Sequence, residues 1–391
     1  MDQVYVVEAL RTPFGSFGGT LADVAAPKLG ATAISGLLGR SGLAAESVDE
    51  VIVGQVLSGG CGQAPARQAM RGAGIPDSVP ALTVNKVCGS GLKAIMLGSD
   101  SIRLGEAGVV VAGGMENMSL APYILQKART GYRMGHGQLI DLMIYDGLQD
   151  PYTGRHMGEI GEASAERGGL TRAEQDEFAG RSYELAQAAV RGGIFSDEIV
   201  AVVKKGRSGD ETIDADEEPF RGDPAKLPQL KAAFKKDGTI TAGNASSIND
   251  GAAMVLLASG EALKKHNLTA KARIVAHATA SLHPDYFPEA PISAIEKVCA
   301  KAGLQVSDID LFEINEAFAS VALLAIKDLG LSLEKVNVNG GACAIGHPIG
   351  ASGARLAATV IRELHRRQKR YGLATLCIGG GEAVAVVFER V

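Results

Sequence analysis

The last third of this chain repeats the pattern of its first third. Four pairs of segments correspond: Ser307–Asn315 with Val48–Gln55, Val338-Asn339 with Val84-Asn85, Ser352–Leu364 with Ser90–Ile102, and Thr375–Gly381 with Val109–Met115. Self-similarity at matched spacing indicates a duplicated structural unit. Because two similar halves usually meet across a pseudo-twofold axis, we expect equivalent turns to converge. The turn around Cys88 should then face the glycine-rich turn at 340–353.

Each repeat alternates apolar strand-like runs with helical patterns. Runs such as VIVG and VVVAGG are typical of strands buried on both faces, which predicts α/β architecture. The pattern breaks at 119–148, which suggests an excursion or an oligomerisation arm, and 208–236 is charged and punctuated by proline, as in a surface lobe. Thr171 and Glu174 form a capping box that predicts a helix start. We expect a first half at 1–118, completed by about 247–268, an inserted loop domain at 119–246, and a second half at 269–391.

Composition excludes several classes of function. The net charge is −5, and the chain has no Trp and 5% aromatic residues. It has neither the excess of basic side chains that binds phosphates nor the aromatic side chains that stack on bases, so we expect no nucleic-acid partner. The five cysteines form no CxxC pair, which argues against structural zinc and a disulfide framework. No apolar run approaches the ~18 residues needed to span a membrane. With neither a secretory leader nor a peroxisomal-type ending, we expect a cytoplasmic protein without membrane contact.

Cys88 lies where a predicted strand gives way to a predicted helix. Leu82, Thr83 and Val84 are interpreted as the end of a buried strand, and the following glycines permit a sharp turn into the helix. A helix N-terminus favours an anion by roughly 0.3–1 kcal/mol. We therefore expect the pKa of the thiol to be lowered towards neutrality. Taken alone, a core cysteine remains the more common reading.

The second-half loops carry three further candidates for chemistry. His347 lies in the loop equivalent to that of Cys88, and an imidazole facing a thiol can accept its proton. Cys377 precedes three glycines, and a thiol whose pKa lies only slightly above operating pH can act as a general acid or base. Asn315 ends the strand DLFEIN, where its amide could anchor a water or bind a carbonyl oxygen.

One rival motif is a GxGxxA match to the dinucleotide-binding fingerprint, formed by Gly89, Gly91 and Ala94 after a strand. Its confirming feature, an acidic residue at the end of the next strand, is replaced by Ala112-Gly113-Gly114. The match is therefore weak.

Taken together, the motifs resemble the thiolases, and among them the acetyl-CoA acetyltransferase type. The likeness covers nearly the whole chain, and its most specific segments are NKVCGSG, NGGACAIGHPIGASG and CIGGG, supported by RTPFGSFGG, GGMENMS, RHMG, TAGNAS and NEAFA. It implies a duplicated α/β/α/β/α five-layered core with an inserted loop domain, usually as a homotetramer, a dimer of dimers. It also implies acyl-CoA substrates, with no metal and no cofactor beyond the coenzyme A of the substrate.

The resemblance assigns roles residue by residue. Cys88 would be the acylated nucleophile, His347 its base, and Cys377 the acid/base acting on the second substrate. His347 and Asn315, the latter through a water, would form one oxyanion hole, and the backbone N–H groups of Cys88 and Gly379 the other. The substrate-binding set would comprise His156, Met157, Ser246, Phe318, Phe287 and, on weaker grounds, Arg221.

Two departures from the family pattern stand out. Tyr286 to Pro291 (YFPEAP) replaces a smaller Met-Gly-containing segment over the acyl pocket, which could alter the acyl chains that fit. Glu382 follows the last glycine triplet, where an uncharged residue is more usual. Cys343 is interpreted as filler.

The expected activity is reversible Claisen condensation of two acetyl-CoA to acetoacetyl-CoA and coenzyme A, by a ping-pong acyl-enzyme route. The nearest alternative is a 3-ketoacyl-CoA thiolase of broader chain length. A decarboxylating ketoacyl synthase and a non-enzymatic coenzyme A-binding protein are more distant alternatives. The Cys377 motif argues against the synthase, and the intact set of Cys88, His347 and Cys377 argues against the binding protein.

Overall fold

The computed structural model describes residues 3–206 and 209–391, which contain fourteen strands and ten α-helices. The strands are β1 Val4–Arg11, β2 Gly15–Ser16, β3 Glu50–Gly54, β4 Ala81–Val84, β5 Val109–Asn117, β6 Tyr123–Ile124, β7 Ile140–Asp141, β8 Val202–Gly206, β9 Gly209–Ile213, β10 Asn249–Ser259, β11 Ala272–Ser281, β12 Leu311–Ile314, β13 Tyr371–Ile378 and β14 Glu382–Arg390. The helices are α1 Ala26–Ser41, α2 Pro65–Gly72, α3 Ser90–Arg103, α4 Met157–Arg167, α5 Arg172–Arg191, α6 Gly260–Lys265, α7 Ala290–Ala302, α8 Ala319–Leu329, α9 Ala342–Ile345 and α10 Ser352–Arg366.

Two mixed sheets with matching order form the framework. The first has the order β4-β3-β5-β10-β1 and the second β12-β13-β14-β11. In each, the repeated unit contributes a parallel pair, β3 with β5 and β12 with β13, beside an antiparallel neighbour. A short antiparallel pairing of β1 with β11, over Val4–Val6, joins the two sheets. The duplication predicted from the sequence is therefore visible in strand order and direction.

Helices cover both faces of each sheet. Helices α3 and α10 pack against each other between the sheets, within one apolar cluster that takes side chains from both. Helices α1 and α2 cover the outer face of the first sheet, and α7 and α8 cover the outer face of the second. The order of layers is α/β/α/β/α, as expected. Because α3 follows Cys88 and α10 follows His347, the central layer brings both turns to one end of the molecule.

One local expectation was wrong, and one pair of corresponding segments differs in structure. Strand β4 is not buried: it is the edge strand of its sheet, and Leu82 is 48% exposed. An edge strand in a single chain lacks a neighbour on one side, and the short apolar run could not reveal this. Val338-Asn339, the counterpart of Val84-Asn85, lies outside any strand, and the second sheet has only an isolated bridge from Val336 to Phe312 at that position.

The segment between β5 and β10 contains the irregular part of the chain. Thr171 caps α5 through its side chain, with Glu174 reciprocating, as the capping box predicted. The stretch at 120–139 is mostly exposed, and several of its large apolar side chains face solvent: Leu120, Tyr123, Leu125, Tyr132, Met134 and Leu139. Within the described residues, no helix combines the length and apolar character needed to cross a membrane.

Candidate active site

A largely apolar cavity of about 210 Å³ lies where the loops of the two halves meet. Nine of the residues singled out from the sequence line it: Cys88, His156, Met157, Ser246, Phe287, Phe318, His347, Cys377 and Gly379. They come from both halves of the duplicated core and from the segment between them, from Cys88 to Gly379. The convergence expected from the duplication is therefore observed at the level of side chains.

The turn that presents Cys88 is held in an unusual backbone conformation. Val87 has φ of 47°, which is rare for a β-branched residue and marks local strain. The strain is stabilised by the backbone N–H of Val87, which donates to Asn85 Oδ1 at 2.9 Å, and by the Ser90 hydroxyl, which donates to Val87 O at 2.7 Å. A side chain at Gly89 would overlap with the side chain of Ile378. The backbone of the Cys88 turn therefore packs directly against Ile378, at the end of β13.

The pKa of the Cys88 thiol is raised to about 11, because burial disfavours the thiolate. Hydrogen bonds from the backbone N–H groups of Gly379 and of Cys88 itself act in the opposite direction, and the nearby Glu116 carboxylate adds to the rise. The expectation that the helix N-terminus would bring this pKa towards neutrality was wrong. Desolvation by the protein around the thiol outweighs the contribution of a helix terminus, and a sequence does not show that desolvation.

His347 is fixed by contacts on its backbone and on its ring. Its backbone N–H donates to Asn249 Oδ1 at 2.9 Å, and a side chain at Gly346 (φ 99°) would overlap with that same amide. Ring atom Nδ1 lies 2.5 Å from Ser352 Oγ, and Nε2 lies 3.3 Å from Asn315 Nδ2. Burial, followed by repulsion from Arg355, lowers the pKa of His347 to about 3. The imidazole is therefore neutral at ordinary pH and available as a base.

Asn315 lies next to His347, with its Nδ2 3.3 Å from ring atom Nε2. It is fully buried, and its Oδ1 has no hydrogen-bond partner among the described residues. A buried acceptor without a partner is suited to a bound water, since leaving it unpaired is costly. The arrangement is compatible with the expected anchoring of a water by Asn315.

Cys377 lies 1% exposed at the end of β13, and its pKa is raised well above the usual thiol range. Burial is the main cause and the neighbouring Cys88 the second. The expectation of a pKa only slightly above operating pH was therefore wrong. A thiol in this setting is protonated at rest, and its thiolate is a stronger base than an exposed cysteine would provide.

Comparisons with known proteins agree with this geometry. The N-terminal thiolase domain model matches residues 4–261, and the C-terminal thiolase domain model matches residues 268–390.

The chain belongs to the thiolase family.

Among its relatives, the acetyl-CoA acetyltransferase of Pseudomonas aeruginosa is 53% identical and that of Escherichia coli 49% identical, each over 100% of both chains. The crystal structure of the Bacillus anthracis acetyl-CoA acetyltransferase superposes with a TM-score of 0.98 at 42% identity, covering 100% of this chain and 99% of the other. The thiolase fold is thus shown.

Part of the wall of this thiolase's cavity is built from aromatic side chains. Phe287 is 2% exposed and lies 6.4 Å from Phe318, centroid to centroid. Phe234, which the sequence analysis did not single out, stacks on His156 at 4.9 Å and meets Phe318 edge-on at 6.0 Å. Of the Tyr286–Pro291 departure, Phe287 faces the cavity, whereas the Tyr286 ring lies beneath Arg167 and is 43% exposed.

Two polar residues of the wall are held by local hydrogen bonds. His156 caps α4 by accepting the Gly158 N–H at Nδ1, and partial burial lowers its pKa. Ser246 donates both its backbone N–H and its hydroxyl to the carbonyl oxygen of Ala317, which ties the TAGNAS loop to the NEAFA segment. This attachment fixes the cavity wall between the two motifs.

Sequence reasoning missed Ser352, Asn249 and Glu116, which support the site without lining its cavity. Glu116 accepts the N–H groups of Val56, Leu57 and Gly350 at 3.0–3.1 Å, and burial raises its pKa to about 7. It therefore joins the end of β3 to the His347 loop. Glu116 and Ser352 lie within the motifs GGMENMS and GHPIGASG, and Asn249 begins β10, but the sequence does not show which loop each side chain faces.

Arg221 lies apart from the cavity, on the surface, 3.5 Å from Glu217 and 55% exposed. Its assignment as a contact to the distal end of coenzyme A stays a prediction. Across the described part of the chain, no group of three or more His, Cys, Asp or Glu side chains is arranged to hold a metal ion.

Proposed function

We propose that this thiolase is an acetyl-CoA C-acetyltransferase, which joins two acetyl-CoA into acetoacetyl-CoA with release of coenzyme A and also catalyses the reverse thiolysis. The convergence of Cys88, His347 and Cys377 on one small cavity carries the proposal. Relatives named acetyl-CoA acetyltransferase that match over the full length support the choice of substrate. No cofactor beyond the coenzyme A of the substrate enters the scheme.

Acylation of Cys88 is the first half-reaction. As the sulfur attacks the thioester carbonyl, Nε2 of neutral His347 takes the thiol proton, so no free thiolate has to form beforehand. The intermediate collapses with cleavage of the carbon–sulfur bond to coenzyme A. Cys377 donates its proton to the departing sulfur, which leaves acetylated Cys88, a Cys377 thiolate and an imidazolium.

Condensation uses the groups left in that state. The Cys377 thiolate, made strongly basic by burial, removes a proton from the methyl group of a second acetyl-CoA, and the resulting carbanion attacks the acetyl group on Cys88. Collapse of this intermediate releases acetoacetyl-CoA, and the Cys88 sulfur regains its proton from His347. Each residue ends in its starting state.

Both half-reactions place negative charge on a thioester oxygen, and each aligned donor to such an oxygen is worth roughly 2.7–4 kcal/mol. The N–H groups of Cys88 and Gly379, which already point at the Cys88 sulfur, form one oxyanion hole. His347 and a water on Asn315 form the other.

The alternative of a broader 3-ketoacyl-CoA thiolase is less favoured by the cavity. Phe287 and Phe318 close its acyl end with rigid rings, so a long chain would require them to move. An acetyl group needs no such movement.

The assembly we propose is a homotetramer in the cytoplasm. The exposed apolar side chains at 120–139, among them Met134 at 98% exposure, are the segment best suited to pair with other copies. Analytical ultracentrifugation of the full chain tests the assembly, and a monomer at micromolar concentration would contradict it.

The decisive experiment measures the intact mass of the protein after brief exposure to acetyl-CoA. One added acetyl group, lost when free coenzyme A is supplied, is expected for the native chain and for Cys61→Ala, whose partly exposed thiol lies outside the cavity. The adduct should be absent in Cys88→Ala. A native chain that is folded but acquires no acetyl group would overturn the proposed function.

A further inference from the structure

An ion pair joins the two loops that carry the reacting groups. Lys86 lies two residues before Cys88, and its ammonium contacts the carboxylate of Glu382, which directly follows the glycine triplet Gly379–Gly381. Glu382 is the charged residue that departs from the family pattern, and the mechanism above gives it no task. The two side chains are 21% and 33% exposed, so water reaches the pair from one side.

We propose that Lys86 and Glu382 form a clamp that sets the position of the Gly379 N–H relative to Cys88, making both of them positioning residues for the reaction. The inference rests on the proposed function, which places the thioester oxygen between these groups. The pair crosses from the first half of the duplicated core to the second. It therefore ties the loop after β4 to the loop between β13 and β14, whose strands are far apart in the strand order.

The anchoring of each partner supports this role. The Lys86 backbone N–H donates to Ser90 Oγ at 2.8 Å, and the Gly89 N–H donates to Lys86 O at 3.0 Å, so Lys86 is part of the turn that strains Val87. On the other side, Ser281 Oγ donates to Glu382 Oε1 at 3.0 Å. Lys86 and Glu382 are thus each held by further hydrogen bonds on their own side of the ion pair. A shift of one loop would therefore displace the other.

The loop that the clamp would hold needs such support. Gly380 and Gly381 have φ of 92° and 91°, a region open mainly to glycine, in the short loop that joins β13 to β14. The Leu282 N–H donates to Gly381 O at 2.7 Å and holds the far end of this loop, whereas the end at Gly379 faces Cys88. Donors to an oxyanion act only when they are held close to the productive geometry. The ion pair between Lys86 and Glu382, which directly follows the glycine triplet, would hold the Gly379 N–H in that geometry.

The test compares Lys86→Met, Glu382→Gln, the double variant and the exchanged pair Lys86→Glu with Glu382→Lys. We expect each single variant to lower kcat about tenfold with KM for acetyl-CoA changed less than twofold. The double variant should be no worse than either single, and the exchanged pair should recover most of the loss. The control is Lys271→Met, which removes a pair with Glu8 that also joins the two halves but lies away from the cavity, and which should leave kcat unchanged.

A pH profile separates positioning from simple charge tuning. If the pair acted only through its charges, the carboxylate left in Lys86→Met would raise the pKa of the Cys88 thiol and the ammonium left in Glu382→Gln would lower it. The clamp instead predicts that both single variants lose kcat to a similar extent at every pH. Opposite shifts of the two pH profiles, or single variants that keep kcat within twofold of the native value, would overturn the clamp.

Amide hydrogen exchange makes the clamp testable without turnover. Lys86→Met should accelerate exchange in residues 379–382 as well as in 86–89, although the two segments are far apart in the chain. If the native chain shows no acetyl transfer, the proposed function fails, and the exchange result still decides the clamp. Unchanged exchange at 379–382 would contradict it.

Discussion

The hydroxyl oxygen of Ser352 lies 2.5 Å from Nδ1 of His347 and 3.0 Å from the carbonyl oxygen of Pro348. A serine hydroxyl has a single hydrogen, and that carbonyl can only accept, so the hydrogen goes to Pro348. Ser352 then accepts from His347 Nδ1–H, which leaves the lone pair of Nε2 free. Asn315 Nδ2 lies 3.3 Å from Nε2 and 3.5 Å from Nδ1, so the tautomer is set by Ser352 and not by Asn315.

Replacing Ser352 by Ala should therefore impair the base without removing it. A buried Nδ1–H with no acceptor costs about 1–3 kcal/mol, which favours the tautomer with the proton on Nε2. We expect kcat to fall by roughly one to two orders of magnitude, with little change in KM. Steady-state kinetics test this, with Ser99→Ala as the control, since that buried serine on α3 has a hydroxyl without a partner in the described structure. Equal kcat for both variants would contradict the tautomer assignment.

Cys88 acylation in the native chain should vary little with pH between about 5.5 and 9, apart from a small step where buried Glu116 titrates near its pKa of about 7. His347 is neutral above its pKa of about 3, and the thiol is protonated below its pKa of about 11, so neither group titrates within that window. In His347→Ala the attack depends on free thiolate, whose fraction rises about tenfold per pH unit up to that pKa. Rapid-quench measurement of acetyl incorporation distinguishes the two profiles. A native profile that rises steadily with pH would show that His347 is not the base.

Changing Cys377 to Ala should separate the two half-reactions. Acetylation of Cys88 is expected to persist, because coenzyme A thiolate leaves readily even without a proton donor. Condensation should fall by roughly 10²–10⁴-fold, since the α-proton loses its base. Mass spectrometry and acetoacetyl-CoA formation are measured side by side, with Cys299→Ala as a buried-cysteine control outside the cavity. Retained condensation would favour decarboxylating synthase chemistry instead.

Gly114→Ala should weaken the junction between the halves. A Cβ at this position on β5 would overlap with the carbonyl oxygen of Gly350 in the His347 loop, and both partners are backbone. We expect a loss of about 1–3 kcal/mol in the free energy of unfolding, together with reduced activity. Gly39→Ala is the control, because nothing lies near its Cβ and alanine in a helix should add about 0.5–1 kcal/mol. Urea denaturation measures both, and an unchanged stability of Gly114→Ala would refute the close approach.

The parts of the site that the sequence predicted depend on repetition and on local motifs. The duplication placed the turns of Cys88 and His347 opposite each other, and glycine-rich loops after strands marked Cys377 and Gly379. The capping box at Thr171 was also readable, because its physics lies within four consecutive residues. These features are visible in the sequence because they involve residues that are close together in the chain or that recur at matched spacing.

The sequence by itself determined the family and the two-halved core, and it predicted which side chains react. Only the tertiary structure decided the pKa values of Cys88 and Cys377, the edge position of β4, and the supporting contacts of Ser352, Glu116 and Lys86. The reason is physical: desolvation and long-range contacts depend on which groups surround an atom in space. Lys86 and Glu382 are separated by almost three hundred residues and meet only after both sheets have packed on the central helices.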